Sequence, residues 1–377
     1  MEKEKKKSWI KYVAFALCVL IGMVCGFIII THLDSTASGD RSNYYVIFIV
    51  VFTFVGVCVA FFLQILVHEA GHLVFGLLTG YRFLSFRVGS FMLIKEGGRL
   101  KIKRLSIAGT GGQCLLIPPD VPYEMMPSVL YNLGGSFANI AFSIIVLVLF
   151  LVFKNVMYLS ALLRLISVSG FVIALLNGIP MKLGLVSNDG YNARAFAKDS
   201  ESLRSFCVQM RAAVQTANGV RLKDMPEEWF FVPPPEQMKN STSAALGAFA
   251  CNRLLDSHLF EEADRLIDEI LDLEALAGLH RKMLICDKIF LELIGDNRED
   301  ILDGMRDKPQ KQFMKSMRKF PTVLRTEYAY ALLSEKQPET AGKILAEFEK
   351  VARTYPYDSD VESERELICV ANRAAAK

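Results

Sequence analysis

The chain has 377 residues, of which 52% are hydrophobic, and its mean hydropathy is +0.30. A positive mean is unusual for a soluble protein and indicates that part of the chain lies in lipid. The net charge of +3 is too small to predict a nucleic-acid partner, and the eight cysteines form no CxxC pair, which argues against a thiolate zinc site or a disulfide framework.

A basic N-terminal segment precedes the first apolar run. Lys3, Lys5, Lys6 and Lys7 lie ahead of residues 12–31, which carry no charge. Twenty such residues are enough to cross about 30 Å of hydrocarbon. A cleaved signal peptide is the competing interpretation, but its apolar core would be shorter. We therefore expect a retained span with its basic end in the cytoplasm.

The second apolar run begins at Asn43 and contains an HExxH pattern. On a helix, His68 and His72 lie one turn apart on the same face, so both imidazoles can reach one Zn²⁺ ion. Glu69 lies close enough to take a proton from a water on that ion. Residues 43–67 carry no charge, and ionisable groups in a membrane span are costly and usually functional. We therefore favour a zinc site over a pair of structural histidines.

A basic segment rich in β-forming residues follows the second span. Residues 83–94 and 100–107 have strand-like composition, and Gly97 and Gly98 between them are typical of a hairpin turn. Seven lysines and arginines lie within residues 82–104, as the positive-inside rule requires of a cytoplasmic segment. The pattern predicts a small β-sheet at the membrane surface.

Two further apolar runs complete the membrane half. Residues 125–153 carry no charge and contain Asn139, a polar group that needs a partner in lipid. Residues 156–181 carry only Arg164, which we expect to reach the outer interface. Four spans would return the chain to its starting side, so both termini are predicted to be cytoplasmic.

Charged residues return after about residue 200. We predict a membrane-embedded domain over residues 1–200, a linker over 201–240 and a cytoplasmic α-helical domain over 241–377. The helical patterns in the last region resemble degenerate tetratricopeptide hairpins, although an ordinary helical domain fits their irregular spacing equally well. The predicted fold is therefore mainly α, with about four spans, a small membrane-surface sheet and a helical domain.

Three motifs, taken together, resemble the site-2 protease family of intramembrane zinc metalloproteases. They are the HEAGH sequence at residues 68–72, Gly135-x-x-x-Asn139, and Asn177-x-x-Pro180 followed by Asp189-Gly190. The likeness covers about residues 43–195 and places the motifs in the family's order on three successive spans. The sequence departs from the family pattern at two positions, where Ser136 replaces a frequent proline and Asn188 replaces leucine.

The resemblance implies a role for each matching residue. His68, His72 and Asp189 would be the zinc ligands, and Glu69 the catalytic base. Asn139 and Asn177 would be polar groups lining the substrate cleft. The expected substrates are membrane-spanning or hydrophobic precursor polypeptides, and the expected location is a bacterial cell membrane.

The predicted function is thus that of an intramembrane zinc metalloendopeptidase. The alternative is a zinc-binding membrane scaffold without protease activity, which recruits protein partners through its helical domain. Glu69 argues against the alternative, because a scaffold needs the metal ligands but not the base. In either case we expect a protein partner on the helical domain and no nucleic acid.

Overall fold

The computed structural model describes most of the chain and is mainly α-helical (71%) with a small antiparallel sheet, which confirms the predicted fold class at that level. The described residues are 19, 21–31, 43–107, 110–183, 186–238, 240–276 and 278–376.

Three of the described helices are long and apolar enough to cross a membrane. They are α2 (Asn43–Leu78), α3 (Ser128–Val152, preceded by the short 3₁₀ turn Tyr123–Met125) and α4 (Met157–Gly178). The predicted first span lies partly outside the described residues, and its described part is the shorter helix α1 (Ile21–Thr31). The integral membrane character is confirmed, whereas the fourth span and the cytoplasmic termini stay predictions.

Helix α2 has small and polar residues on its buried face and large apolar residues outside. Phe54 and Phe62, for example, are 68% and 56% exposed. This arrangement suits lipid, where outward apolar side chains cost nothing and polar groups must find partners inside the protein. The buried face repeats every three or four residues and includes Ile49, Thr53, Gly56, Ala60, Gln64, His68 and His72.

Four antiparallel strands form a sheet in the order β3-β2-β1-β4. The predicted hairpin turn is present, since Gly97 and Gly98 join β2 to β3 with φ values of 55° and 80°. A two-residue hairpin turn of this kind needs positive φ, which glycine adopts without strain. The segment predicted over 83–94 is interrupted at Gly89 (φ 60°), where it divides into β1 and β2. The strands are β1 (Arg82–Val88), β2 (Phe91–Glu96), β3 (Arg99–Arg104) and β4 (Gly112–Ile117).

Among the described residues after α4, the regular elements are helical apart from a short ribbon of β5 (Lys182–Leu183) and β6 (Val186–Ser187). Local signals set several helix starts. Asn240 caps α7 through the amides of Thr242 and Ser243, and Pro338 occupies the first turn of α13. A tetratricopeptide array stays a prediction. The helices are α5 (Asp189–Phe196), α6 (Ser200–Ala217), α7 (Ser241–Asp256), α8 (Phe260–Leu271), α9 (Gly278–Ile294), α10 (Glu299–Met305), α11 (Lys308–Ser316), α12 (Pro321–Ala329), α13 (Pro338–Ala352) and α14 (Asp358–Ala375).

The contacts group the chain into two compact units. One unit comprises Met1–Thr79, Val129–Met181 and Asn188–Arg194, and the other Gly80–Ser128, Lys182–Ser187 and Ala195–Lys377. The division predicted at residues 200 and 240 stays a prediction, and helix α6 occupies the first part of the predicted linker.

The sheet shares a hydrophobic core with the C-terminal helices. Met92 and Ile94 of β2 are 1% and 0% exposed and belong to the same buried cluster as Phe348 of α13 and Leu367 of α14. Leu93 lies between them on the strand and is 36% exposed. This alternation follows from the period of two of a β-strand, so one face of the sheet is buried by the helices.

We expect Ile94→Asp to lower the thermal midpoint of the full chain and to increase proteolysis of the sheet. An unpaired carboxylate buried in an apolar core costs several kcal/mol. Leu93→Asp is the matched control, because the same charge placed one residue away meets solvent. An equal loss of stability in both variants would contradict the assignment of faces.

Candidate metal centre

Two helices bring three potential ligands together. His68 and His72 lie one turn apart on α2, and their Nε2 atoms are 3.2 Å from each other. Asp189, the first residue of α5, places Oδ2 at 2.9 Å from Nε2 of His68 and 3.4 Å from Nε2 of His72. Within the described part of the chain, these residues form the one group of three or more His, Cys, Asp or Glu side chains suited to hold a metal ion.

The partners behind the two imidazoles determine where their protons lie. Nδ1 of His72 is 2.8 Å from the main-chain oxygen of Tyr131, which can only accept, so Nδ1 carries the proton. Nδ1 of His68 is 2.7 Å from Oδ1 of Asn139. The amide of Asn139 is itself oriented, because its Nδ2 donates to the main-chain oxygen and to Oε1 of Gln64 at 2.8 and 2.7 Å. When the imidazoles are neutral, both Nε2 atoms therefore present lone pairs toward Asp189.

The donor set fits a zinc ion. Two imidazole nitrogens and a carboxylate oxygen converge at a site where the histidines are each 7% exposed, so one cation could contact all three atoms. A tetrahedral zinc ion with bonds of about 2.0–2.1 Å would hold its ligand atoms about 3.3 Å apart. The three observed separations lie between 2.9 and 3.4 Å.

Asp189 is placed to serve as an ionised ligand. Its Oδ2 faces the two Nε2 atoms at 2.9 and 3.4 Å, and a cation bound among them would favour the carboxylate form. A carboxyl group must be deprotonated to bind a metal.

Asn188 places Asp189 by joining the start of α5 to the end of α4. Its Oδ1 accepts from the amide of Tyr191, three residues along, as a helix cap does. Its Nδ2 donates to the main-chain oxygens of Leu176 and Ile179, at 2.6 Å each, which satisfies carbonyls at the C-terminal end of α4. The departure from leucine at this position thus has a structural role.

The predicted substrate residues differ in their surroundings. Asn139 is fully buried, and the bonds described above engage both of its polar atoms. Asn177 is half-buried and donates through Nδ2 to the main-chain oxygen of Ile173 in its own helix. Glu69 is 6% exposed beside His68. The roles assigned to these residues stay predictions.

The sequence model of peptidase family M50 matches residues 56–324, which is more than two thirds of the chain. The chain belongs to peptidase family M50. This is the site-2 protease family that the three motifs resemble, so that resemblance is confirmed. A comparison with curated proteins finds no significant match, and neither does a comparison with solved structures.

Membership in M50 confirms the protein as a membrane metalloprotease at the level of the family, whose members are zinc enzymes. The family match extends beyond residue 195, where the motif resemblance ends, and includes much of the helical region.

Glycines allow the helices of this M50 chain to approach at the metal centre. A Cβ atom added to Gly134 of α3 would lie 2.8 Å from the main-chain oxygen of Gly71 in α2. One added to Gly135 would lie 2.6 Å from the imidazole of His68. Neither separation is sterically acceptable, so glycine is required where α3 meets the HEAGH segment.

Sequence reasoning missed two groups that hold the ligands. Gln64 is uncharged and therefore escaped a search for charged groups, although it lies one turn before His68 on the same face. Tyr131 contributes its main-chain oxygen, which any residue type supplies. A buried polar residue spaced by four from a predicted ligand is the signal that identifies Gln64.

We expect Gly135→Ala to displace His68 and to reduce bound zinc. Alanine forms helices better than glycine by about 1 kcal/mol. A loss of bound zinc would therefore result from a steric clash with His68 and not from a weakened helix. Gly26→Ala in α1 is the control, because no atom lies within 4 Å of the added Cβ. Metal analysis after purification measures the effect, and unchanged zinc in Gly135→Ala would contradict the packing described.

Proposed function

We propose that the chain is an intramembrane zinc endopeptidase with His68, His72 and Asp189 as metal ligands and Glu69 as catalytic base. The observation that carries the proposal is the convergence of two oriented imidazole lone pairs and one carboxylate oxygen. Bound zinc would supply Lewis acidity toward the scissile carbonyl group and toward water. Glu69 would take a proton from the attacking water and deliver it to the leaving amine.

The position of the site within α2 supports a hydrophobic substrate. His68 lies ten residues before the end of α2 at Leu78, which corresponds to about 15 Å along the helix axis. A peptide must therefore enter an apolar segment to reach the ligands. Membrane-embedded or hydrophobic precursor polypeptides fit this requirement, and a substrate helix would have to unwind there because its amides are otherwise internally bonded.

Asn177 is the better candidate of the two asparagines for contact with the substrate. Its Oδ1 makes no hydrogen bond among the described residues, so this atom is available to accept from a substrate amide. Asn139, in contrast, is enclosed behind His68. We propose that Asn177 orients the substrate and that Asn139 instead orients the imidazole of His68.

The remaining expectations belong to the same proposal. The basic residues of 82–104 support a cytoplasmic position for that segment. With four spans, both termini would then be cytoplasmic. The C-terminal helices are proposed to bind a protein partner in the cytoplasm. The protein itself is proposed to lie in a bacterial cell membrane.

Glu69→Gln should retain zinc and lose cleavage. The three ligands remain, but the amide accepts no proton, so turnover of a membrane substrate should fall by at least about 100-fold, the scale for a positioned base. Comparison of membrane proteomes with the unaltered chain would identify a full-length substrate that accumulates. Near-native turnover by a zinc-loaded Glu69→Gln protein would refute Glu69 as the base, whereas zinc binding without turnover in the unaltered chain would favour a scaffold.

Asp189→Ala should lose zinc affinity and activity together, because two imidazoles do not complete a site that usually takes three protein ligands. Asp120→Ala is the control, since Asp120 belongs to the other compact unit. Metal content after purification is the measurement: Asp189→Ala should have lost its zinc and Asp120→Ala should have kept it. One tightly held zinc in Asp189→Ala would show that another residue is the third ligand.

A further inference from the structure

A chain of hydrogen bonds behind His68 crosses all three long apolar helices. Gln64 of α2 is 0% exposed and lies at its centre. Its Oε1 accepts from Nδ2 of Asn139 in α3, and its Nε2 donates to the main-chain oxygen of Ile166 in α4 at 2.9 Å. The same Nε2 lies 3.3 Å from Oγ of Ser143 in α3. Both ends of the Gln64 amide are thus bonded inside an apolar bundle.

The orientation of the Asn139 amide decides which nitrogen of His68 carries the proton. In the observed orientation Oδ1 accepts from Nδ1 of His68, which leaves Nε2 as a lone pair facing Asp189. A rotation of the amide by 180° would turn Nδ2 toward Nδ1 of His68. Two donors cannot bond each other, so the imidazole would adopt the other tautomer, with its proton on Nε2, and could no longer bind a metal through that atom.

Gln64 opposes that rotation by offering two acceptors to Nδ2 of Asn139. The main-chain oxygen takes one N–H and Oε1 takes the other. Rotation would break both of these hydrogen bonds and set Oδ1 of Asn139 against the two oxygens of Gln64, which is costly inside an apolar bundle. The main-chain oxygen at position 64 accepts from Asn139 whatever residue is present there. The side chain of Gln64 therefore supplies only the second acceptor, Oε1.

The packing of α4 is adapted to this side chain. An added Cβ on Gly170 would collide with the Gln64 amide and with Oγ of Ser143. Glycine at this position lets Nε2 of Gln64 reach the main-chain oxygen of Ile166, one turn earlier in α4. Gly170 therefore contributes to the network by leaving room for the Gln64 amide.

We infer that Gln64 is a positioning residue that keeps His68 in the tautomer able to bind zinc, acting through Asn139. The inference rests on the proposed function, because it concerns the same metal centre. Gln64 lies one turn from His68 and is separated from it by Asn139, so it touches neither substrate nor metal in this role. Its effect is on metal affinity and on ligand geometry.

A double-mutant cycle tests the inference on the full chain in detergent. Gln64→Met keeps the length and the helix propensity of the side chain and removes its hydrogen bonds to Asn139, Ile166 and Ser143. We expect it to weaken zinc binding by about 10–100-fold, the usual range for a residue that orients a metal ligand. Chelator competition measures the affinity, and visible absorption of the cobalt-substituted protein reports the ligand geometry. In an Asn139→Ala background, Gln64→Met should cause no further loss, because its effect passes through Asn139.

Two further variants separate positioning from stability. Ser167→Ala removes a buried hydrogen bond to the main-chain oxygen of Ser143 in the same bundle. It should lower the thermal midpoint and leave zinc affinity unchanged. Gln64→Glu should retain most of the affinity, because a carboxyl group kept neutral by burial can accept from Asn139 and donate to Ile166.

The outcomes distinguish this inference from the proposed function. Zinc affinity in Gln64→Met equal to that of the unaltered chain would overturn the inference alone, and so would additive losses in the cycle. If Gln64→Met does not fold, loss of zinc from a Gln64→Glu protein with an unchanged thermal midpoint would overturn it. Failure of the unaltered chain to bind zinc would overturn the proposed function and this inference together.

Discussion

The structure depends on bringing three electron-pair donors together inside an apolar bundle. When the imidazoles are neutral, His68, His72 and Asp189 direct lone pairs toward one another, an arrangement that a bound cation would favour. Neighbouring residues hold these three side chains in place through their other atoms. Tyr131 and Asn139 accept the Nδ1 protons of the histidines, and Asn188 fixes the helix start that carries Asp189. The site is thus held by partners that do not themselves bind the ion.

Close helix packing is the second condition for this convergence. Donor atoms about 3 Å apart on different helices require backbones that approach more closely than ordinary side chains permit. Gly71, Gly134 and Gly135 remove the side chains where α2 meets α3, and Gly170 removes one where α4 meets Gln64. In lipid, such approach is a main source of helix association, because apolar side chains gain little by leaving one apolar environment for another.

The sequence predicted the features that depend on local pattern. Uncharged length located the long apolar helices α2, α3 and α4, and the HExxH spacing predicted that His68 and His72 share a face. It did not reveal that Met92 and Ile94 pack with C-terminal helices, because that choice depends on contacts between residues more than 200 positions apart. It also missed the interruption at Gly89 and the main-chain acceptor of Tyr131, since neither has a side-chain pattern that distinguishes it.

Gln64 shows why the fold and the site cannot be separated in a membrane protein. In water, a misplaced amide can bond to solvent, so its orientation costs little to change. In an apolar bundle every N–H and C=O group must find a partner within the protein, and each bond restricts the next. The bonds from Gln64 to α3 and α4 therefore hold three helices in register and select the tautomer of His68 at once. The polar groups that must be paired when the bundle assembles are therefore also the groups that orient the proposed metal ligands.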